Sequence, residues 1–340
     1  MGRSEPANRR EQRVNTTLRD SYGRSIEYLR ISVTDTCNFR CRYCMPAAGL
    51  QWLPKADLLT YEEIARVVSE LAPLGLRRLR ITGGEPTIRP DLQRLIAMLR
   101  KTPGIEDISL STNGLRLPEL ARTYRDAGLD RVNISADSLR PERIKWISRR
   151  EVDFDPIAAA LAAGDAGLSP IKLNVVVMRG VNDDEVSEFA RLTIDHDWHV
   201  RFIELMPVGE MRDLTWEHVV DSDEVLKRIG SVGPLSPTAG PRKGNGPARY
   251  YRFADARGTI GVITPMSHTY CGSCNRVRLT ADGRLRTCLF GDDEVDLRTP
   301  LRDGLPLAPF FRRALSTKPK EHNLLQMKVG GLRALSEVGG

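Results

Sequence analysis

The chain reads as an α/β protein: an incomplete (β/α)6 TIM-like barrel followed by a C-terminal region of different character. Three observations predict this class. β-rich runs alternate with helical runs six times between residues 28 and 207. Each strand-like run ends in a short polar or glycine-bearing stretch, which is where βα barrels place their chemistry. The rhythm then breaks near residue 208. At 340 residues the chain can hold one such barrel with an addition, or two domains. The expected division is an N-terminal extension over 1–25, the partial barrel over 26–210 and a C-terminal region over 211–340.

The elements follow in order. "YLRISVTD" (28–35) is β-rich and stops just before a cysteine cluster. "YEEIARVVSELAPLG" has helical periodicity, with Thr60 as N-cap and Gly75 closing it. "LRRLRITGG" reads as strand and "DLQRLIAMLRK" as helix. "DISLSTNG" is the next strand, and "PELARTYRDAG" a helix with proline near its start and glycine at its end. "RVNISAD" is a strand followed by helical stretches at "PERIKWIS" and "DPIAAALAAG". "IKLNVVVMRGVN" and "HVRFIELMP" are two further strands, separated by a helix starting near Asp183. Beyond them, "SPTAGPRKGNGPAR" (236–249) reads as a connecting loop, and "YYRFAD" and "TIGVIT" carry short strand signals.

Hydrophobic residues at 41% and charged residues at 28% are ordinary for a globular chain. No apolar run approaches the roughly 18 residues that span a bilayer. The opening residues have no apolar h-region and carry acidic side chains, unlike a signal or transit peptide, so a cytoplasmic location without a membrane partner is expected. A net charge of +7 suits a polyphosphate or nucleic-acid partner, or simply a solvated basic surface. Aromatics at 6% give little support to a platform for stacking nucleic-acid bases.

All six cysteines fall into two groups of three. Cys37, Cys41 and Cys44 form C-x3-C-x2-C, and Cys271, Cys274 and Cys288 form C-x2-C-x13-C. A zinc ion or an iron–sulfur cube usually takes four protein ligands. A remote histidine could complete the first group as structural zinc. Its place after a first barrel strand favours instead a cluster with one position left open for substrate. For the second group, His268 could complete a Cys3His zinc site. Arg276, Arg278, Arg284 and Arg286 in the intervening stretch hint at an anionic ligand beside a second open cluster. No Gly-Lys dipeptide occurs, so there is no Walker A loop, and any triphosphate must be held by side chains such as arginine.

"CNFRCRYCMP" (37–46) and "TGGEP" (82–86) resemble the cluster and glycine-rich motifs of the radical S-adenosylmethionine superfamily. "CMPAAG", "FIELMPVGE", "CGSCNRVRLTADGRLRTCL" and the terminal Gly-Gly narrow the resemblance to the GTP 3′,8-cyclase family of molybdenum cofactor biosynthesis. It runs from about residue 15 to the last residue. The resemblance implies a lyase with two [4Fe-4S] clusters and S-adenosyl-L-methionine. The first cluster, on Cys37, Cys41 and Cys44, binds S-adenosylmethionine through its open iron and cleaves it reductively. The radical formed takes hydrogen from C3′ of GTP, and that carbon attacks C8 of guanine. The second cluster, on Cys271, Cys274 and Cys288, holds the guanine edge.

The same resemblance gives the remaining roles. Tyr43, Gly84, Ser135 and Met206 contact S-adenosylmethionine. Arg30, Arg80, Ser111 (or its neighbour Thr112), Lys172, Arg276, Val277 and Arg278 bind GTP. Arg276, Arg278 and the Gly339-Gly340 tail, which threads into the active site, serve catalysis. A flavodoxin- or ferredoxin-type electron donor and a downstream cyclic pyranopterin monophosphate synthase are the implied partners, with a homodimer left open. Another radical enzyme with an auxiliary cluster, such as a peptide maturase, shares the first motif, but six cysteines and "NRVR" argue against it. A zinc-containing nucleic-acid binder is the rival of a different class.

Overall fold

The computed structural model describes residues 17–206, 214–241, 246–322 and 333–339. Residues 1–16 of the expected extension, Pro207 and "VGE" of "FIELMPVGE", residues 242–245 of the expected loop, and Gly340 lie outside them.

Six strands, β1 (Tyr28–Ser32), β2 (Arg78–Thr82), β3 (Asp107–Thr112), β4 (Arg131–Ser135), β5 (Ile171–Val177) and β6 (His199–Glu204), pair in parallel in sequence order. Helices α1 (Tyr61–Leu71), α2 (Leu92–Arg100), α3 (Leu117–Asp126), α4 (Pro141–Ser148), α5 (Pro156–Asp165) and α6 (Val186–Asp195) connect them. Local chemistry sets these boundaries. Thr60 and Glu63 close a reciprocal capping box at the start of α1. Past its end, Gly75 takes φ +108°, a conformation that suits a residue without Cβ.

The C-terminal residues add α7 (Ser222–Gly230), β7 (Leu235–Thr238), β8 (Arg249–Phe253), β9 (Thr259–Ile263), β10 (Arg276–Leu279), β11 (Arg284–Arg286), β12 (Glu294–Asp296), α8 (Arg298–Arg302) and α9 (Ala308–Ser316). They continue the same sheet at both ends. β10 lies parallel beside β1, and β9 parallel beside β6, giving the order β12-β11-β10-β1-β2-β3-β4-β5-β6-β9-β8-β7. Eight neighbouring strands thus run parallel, two more than the six predicted. The expected loop over 236–249 is also shorter, because residues 236–238 belong to β7, antiparallel to β8.

Alternation along each strand separates two environments. Leu29 and Ile31, Leu79 and Ile81, and Val277 and Leu279 are fully buried in the apolar layer that includes Ile64, Val67, Val68 and Leu71 of α1. Burying each such side chain stabilises the fold by roughly 1.5–3 kcal/mol. The intervening residues, Tyr28, Arg30, Arg80, Arg276 and Arg278, line a cavity on the other face. No helix among the described residues is long and apolar enough to cross a membrane.

Candidate active site

Register does much of the building. Arg30 stands opposite Arg278 on one side and Arg80 on the other, so three arginines share one rung of β10-β1-β2. Burial pushes the Arg30 guanidinium well below its usual value, and Arg278 and Arg80 push it further. Burial likewise brings Arg80 and Arg278 down to about 10. Among the described residues, neither Arg80 nor Arg278 has an ion pair with a carboxylate, and Arg80 Nε and Arg201 Nε are buried without a hydrogen-bond partner. Arg201 also lines the cavity, donating from Nη2 to Asn133 Oδ1 (2.8 Å) and Asn174 Oδ1 (2.5 Å).

The cavity's carboxylates are occupied by other donors. Glu85 accepts from the Thr87 N–H (3.0 Å) and hydroxyl, the Thr112 hydroxyl (2.7 Å) and the Asn113 N–H (2.7 Å). Glu204 accepts from the Ser222, Met266 and Ser267 N–H groups. Asp137 accepts from the Tyr43 hydroxyl at 2.6 Å and the Val176 N–H at 2.9 Å, and burial raises it to about 6. Among the described residues none of these three carboxylates pairs with Arg80, Arg201 or Arg278, and guanidinium forks suit a polyanion.

Cys37, Cys41 and Cys44 enter the cavity on the loop after β1. This loop is clamped from several sides. The Arg40 guanidinium donates to the carbonyls of Cys37 and Phe39. The backbone N–H groups of Arg40 and Arg42 bond to the carbonyls of Ser148 and Ile147 at the end of α4. Asp35 receives the Leu53 N–H at 2.6 Å, closing the loop on itself. Gly83 and Gly84 bring the end of β2 against it: the Gly84 N–H bonds to the Thr34 carbonyl, and a Cβ on Gly84 would sit 2.2 Å from the Thr36 carbonyl oxygen. Burial raises the thiols, Cys37 to about 11, Cys44 to about 12 and Cys41 well upward, with neighbouring thiols adding to the rise at Cys41 and Cys44.

The second group's thiols are not among the residues that line the cavity, although residues beside them are. Cys271 opens a short 3-10 turn (Cys271–Ser273), Cys274 ends it, and Cys288 follows β11. Their neighbours Tyr270, Arg276 and Leu289 line the cavity. Burial raises Cys271. It would raise Cys274 too, but Arg276 and Lys318 outweigh it and bring that thiol down to about 7. His268 meets the Ser267 hydroxyl at 3.1 Å through Nδ1. Among the described residues no three His, Cys, Asp or Glu side chains are placed to share one metal ion. An all-thiolate soft donor set fits an iron–sulfur cluster by its chemistry.

The other predicted residues divide. Tyr43, Gly84, Ser135, Met206, Ser111 and Thr112 all line the cavity. Lys172 does not: it is fully buried on β5, where burial and then Arg201, Arg131 and Arg80 lower it to about 5. Val277 points its side chain into the apolar layer, so only its backbone is left for a ligand. The tail reaches the site. Leu335 and Ser336 line the cavity, and Arg278 Nη1 donates to the carbonyls of Val338 (3.1 Å) and Gly339 (2.7 Å). Gly339 has φ +71°, and a Cβ there would lie 2.7 Å from Thr82 Cγ2. Arg201, Asp137, Asn174 and Glu204 were not among the expected residues. The available signal for Arg201 was its position between Val200 and Phe202, a charge on the inward alternate of a barrel strand.

The parallel barrel sheet and the three-cysteine loop that enters its cavity after β1 are those of a radical S-adenosylmethionine protein. The Radical SAM superfamily model matches residues 31–193, and the Molybdenum Cofactor Synthesis C model matches residues 198–324. In fold, the chain resembles the crystal structure of Streptococcus suis SuiB bound to S-adenosylmethionine. That likeness has TM-score 0.60 and 13% identity, over 90% of this chain and 72% of that one. In sequence it is 48% identical to the GTP 3′,8-cyclase of Heliobacterium modesticaldum, across 94% of this chain and 99% of that protein. It is 47% identical to that of Moorella thermoacetica, across 95% and 100%. The chain belongs to the GTP 3′,8-cyclase family.

Proposed function

We propose that this chain is a lyase that cyclises GTP to (8S)-3′,8-cyclo-7,8-dihydroguanosine 5′-triphosphate, the first step of molybdenum cofactor biosynthesis. One observation carries the reading: a three-cysteine loop enters a cavity in which, among the described residues, Arg80 and Arg278 make no ion pair with a carboxylate, in a chain nearly half identical to named GTP 3′,8-cyclases. Cys37, Cys41 and Cys44 would hold one [4Fe-4S] cluster, and Cys271, Cys274 and Cys288 the other. When bound, the first cluster supplies the electron that cleaves S-adenosylmethionine and so the radical that takes the 3′ hydrogen of GTP.

The chain's own part is to orient and to shield. Tyr43 is aimed by its bond to Asp137, and with Gly84, Ser135 and Met206 it frames the volume beside the first thiols that suits S-adenosylmethionine. Arg30, Arg80, Arg276, Arg278 and the additional Arg201 present guanidinium forks to the triphosphate, with Ser111 offering a hydroxyl. Lys172 would act from beneath, and Val277 through its backbone. The tail reaches Arg278 through the carbonyls of Val338 and Gly339, and Leu335 and Ser336 line the cavity. A low-potential flavodoxin- or ferredoxin-type donor would reduce the enzyme, and a cyclic pyranopterin monophosphate synthase would take the product.

An anaerobic turnover assay with GTP, S-adenosylmethionine and dithionite tests this, with mass spectrometry for 5′-deoxyadenosine and cyclised GTP. Both products are expected, and both should vanish in Cys37→Ser. Deoxyadenosine without a GTP-derived product would overturn the substrate assignment.

A further inference from the structure

Lys318 is a buried cation that none of the roles above uses. It lies just beyond α9, whose last turn fixes it through the bond from its own N–H to the Leu315 carbonyl. A lysine ammonium has three protons to donate, and here all three directions are used. Nζ faces Cys274 Sγ at 3.6 Å, donates to the Arg276 carbonyl at 3.0 Å, and donates to the Thr287 carbonyl. Thr287 immediately precedes Cys288, and Arg276 lies two residues after Cys274. The residues that follow Lys318 reach the third cysteine. Arg24 gathers the carbonyls of Pro319 (2.6 Å), Lys320 (2.9 Å) and Cys271 (2.7 Å) around one guanidinium, itself held by Asp20 at 2.5 Å. Segment 318–320 is thus tied to all three cysteine positions.

We propose that Lys318 is a positioning residue of the second cysteine group: its ammonium spaces the strand leading from Cys274 against the one leading to Cys288 and sets a fixed positive charge beside the cluster those thiols hold. This rests on the reading that Cys271, Cys274 and Cys288 carry an iron–sulfur cluster. Three thiolates make such a cluster strongly negative, and net charge and contacts to sulfur set its potential. A cation in this dry position favours the reduced, more negative form. A neutral side chain at 318 therefore makes the cluster harder to reduce.

The test uses the full chain with Cys37, Cys41 and Cys44 replaced by serine, so that one cluster signal remains. Iron content and the midpoint potential are measured anaerobically by EPR-monitored titration for Lys318, Lys318→Arg and Lys318→Met. The expected result is a more negative midpoint in Lys318→Met and one close to the parent in Lys318→Arg. Loss of iron from Lys318→Met alone, with native circular dichroism, also supports the proposal. Should Lys318→Met not fold, Lys318→Gln, which can still donate to the carbonyls, is read in the same way. Equal midpoints and equal iron in the charged and neutral variants overturn the proposal and leave the cluster reading standing. No iron in the parent overturns the cluster reading itself, and the proposal with it.

Discussion

Arg131 and Lys172 are two buried basic side chains of neighbouring strands in different electrostatic settings. Arg131 is fully buried and makes a bidentate pair with Asp107 at 2.8 and 2.6 Å. Asp107→Ala leaves that charge uncompensated and should cost about 3–5 kcal/mol, read as a lower denaturation midpoint. Lys172 is instead driven down from 10.5 to about 5, first by burial and then by nearby arginines. Between those values the unfolded chain holds a proton that the folded chain lacks, so this group makes stability rise with pH across that window. Lys172→Met should therefore raise the melting temperature at pH 6 and flatten the climb from pH 6 to pH 9; a scan showing the wild-type climb in the variant would count against it. Single residues were unevenly legible. The cysteines, and Arg276 and Arg278 beside them, stood in recognisable strings. Lys172's depth and Val277's outward side chain depend on strand alternation inside a finished sheet, and Arg201 carried no string at all.

The loop of the first cysteines depends on β2 as much as on its own residues. A methyl on Gly84 would overlap the carbonyls of Thr36 and Asp35, which are backbone atoms that cannot swing aside. Gly84→Ala should release iron from the first site and keep it at the second, while circular dichroism stays native; iron measured per chain checks this. The βα units were legible from their apolar periods, most clearly where terminal signals joined them, as at α1 with the Thr60 capping box and Gly75 and at α3 with Pro118 near its start and Gly128 past its end. β7 and β10 were not. Both are four residues long, too short for alternation to declare itself, and the arginines of "RVRL" looked like ligands before they looked like a strand.

The expected C-terminal region is woven into the barrel sheet at both edges, and its tail returns to the cavity. The site is therefore assembled from opposite ends of the chain: Arg30 and Arg80 from the first strands, Arg278 from β10, and Gly339 from the tail. Removing Gly339 and Gly340 should leave the melting temperature nearly unchanged and abolish cyclised GTP in the anaerobic assay; undiminished product would refute a role for the tail. Pairings such as β10 with β1 were out of reach of local patterning, because nothing near residue 276 encodes a partner near residue 28.

That pairing also imposes a timetable on synthesis. About 250 residues separate Tyr28 from its partner Arg276. At about 5–20 residues per second, β1 waits on the order of 10–50 s after leaving the ribosome before the strand that covers its open edge exists. Throughout that interval a nascent chain displays an unpaired edge next to three reduced thiols. Oxygen met then would find the cysteines before the cavity that shelters them, so protection during translation matters as much as protection of the finished enzyme.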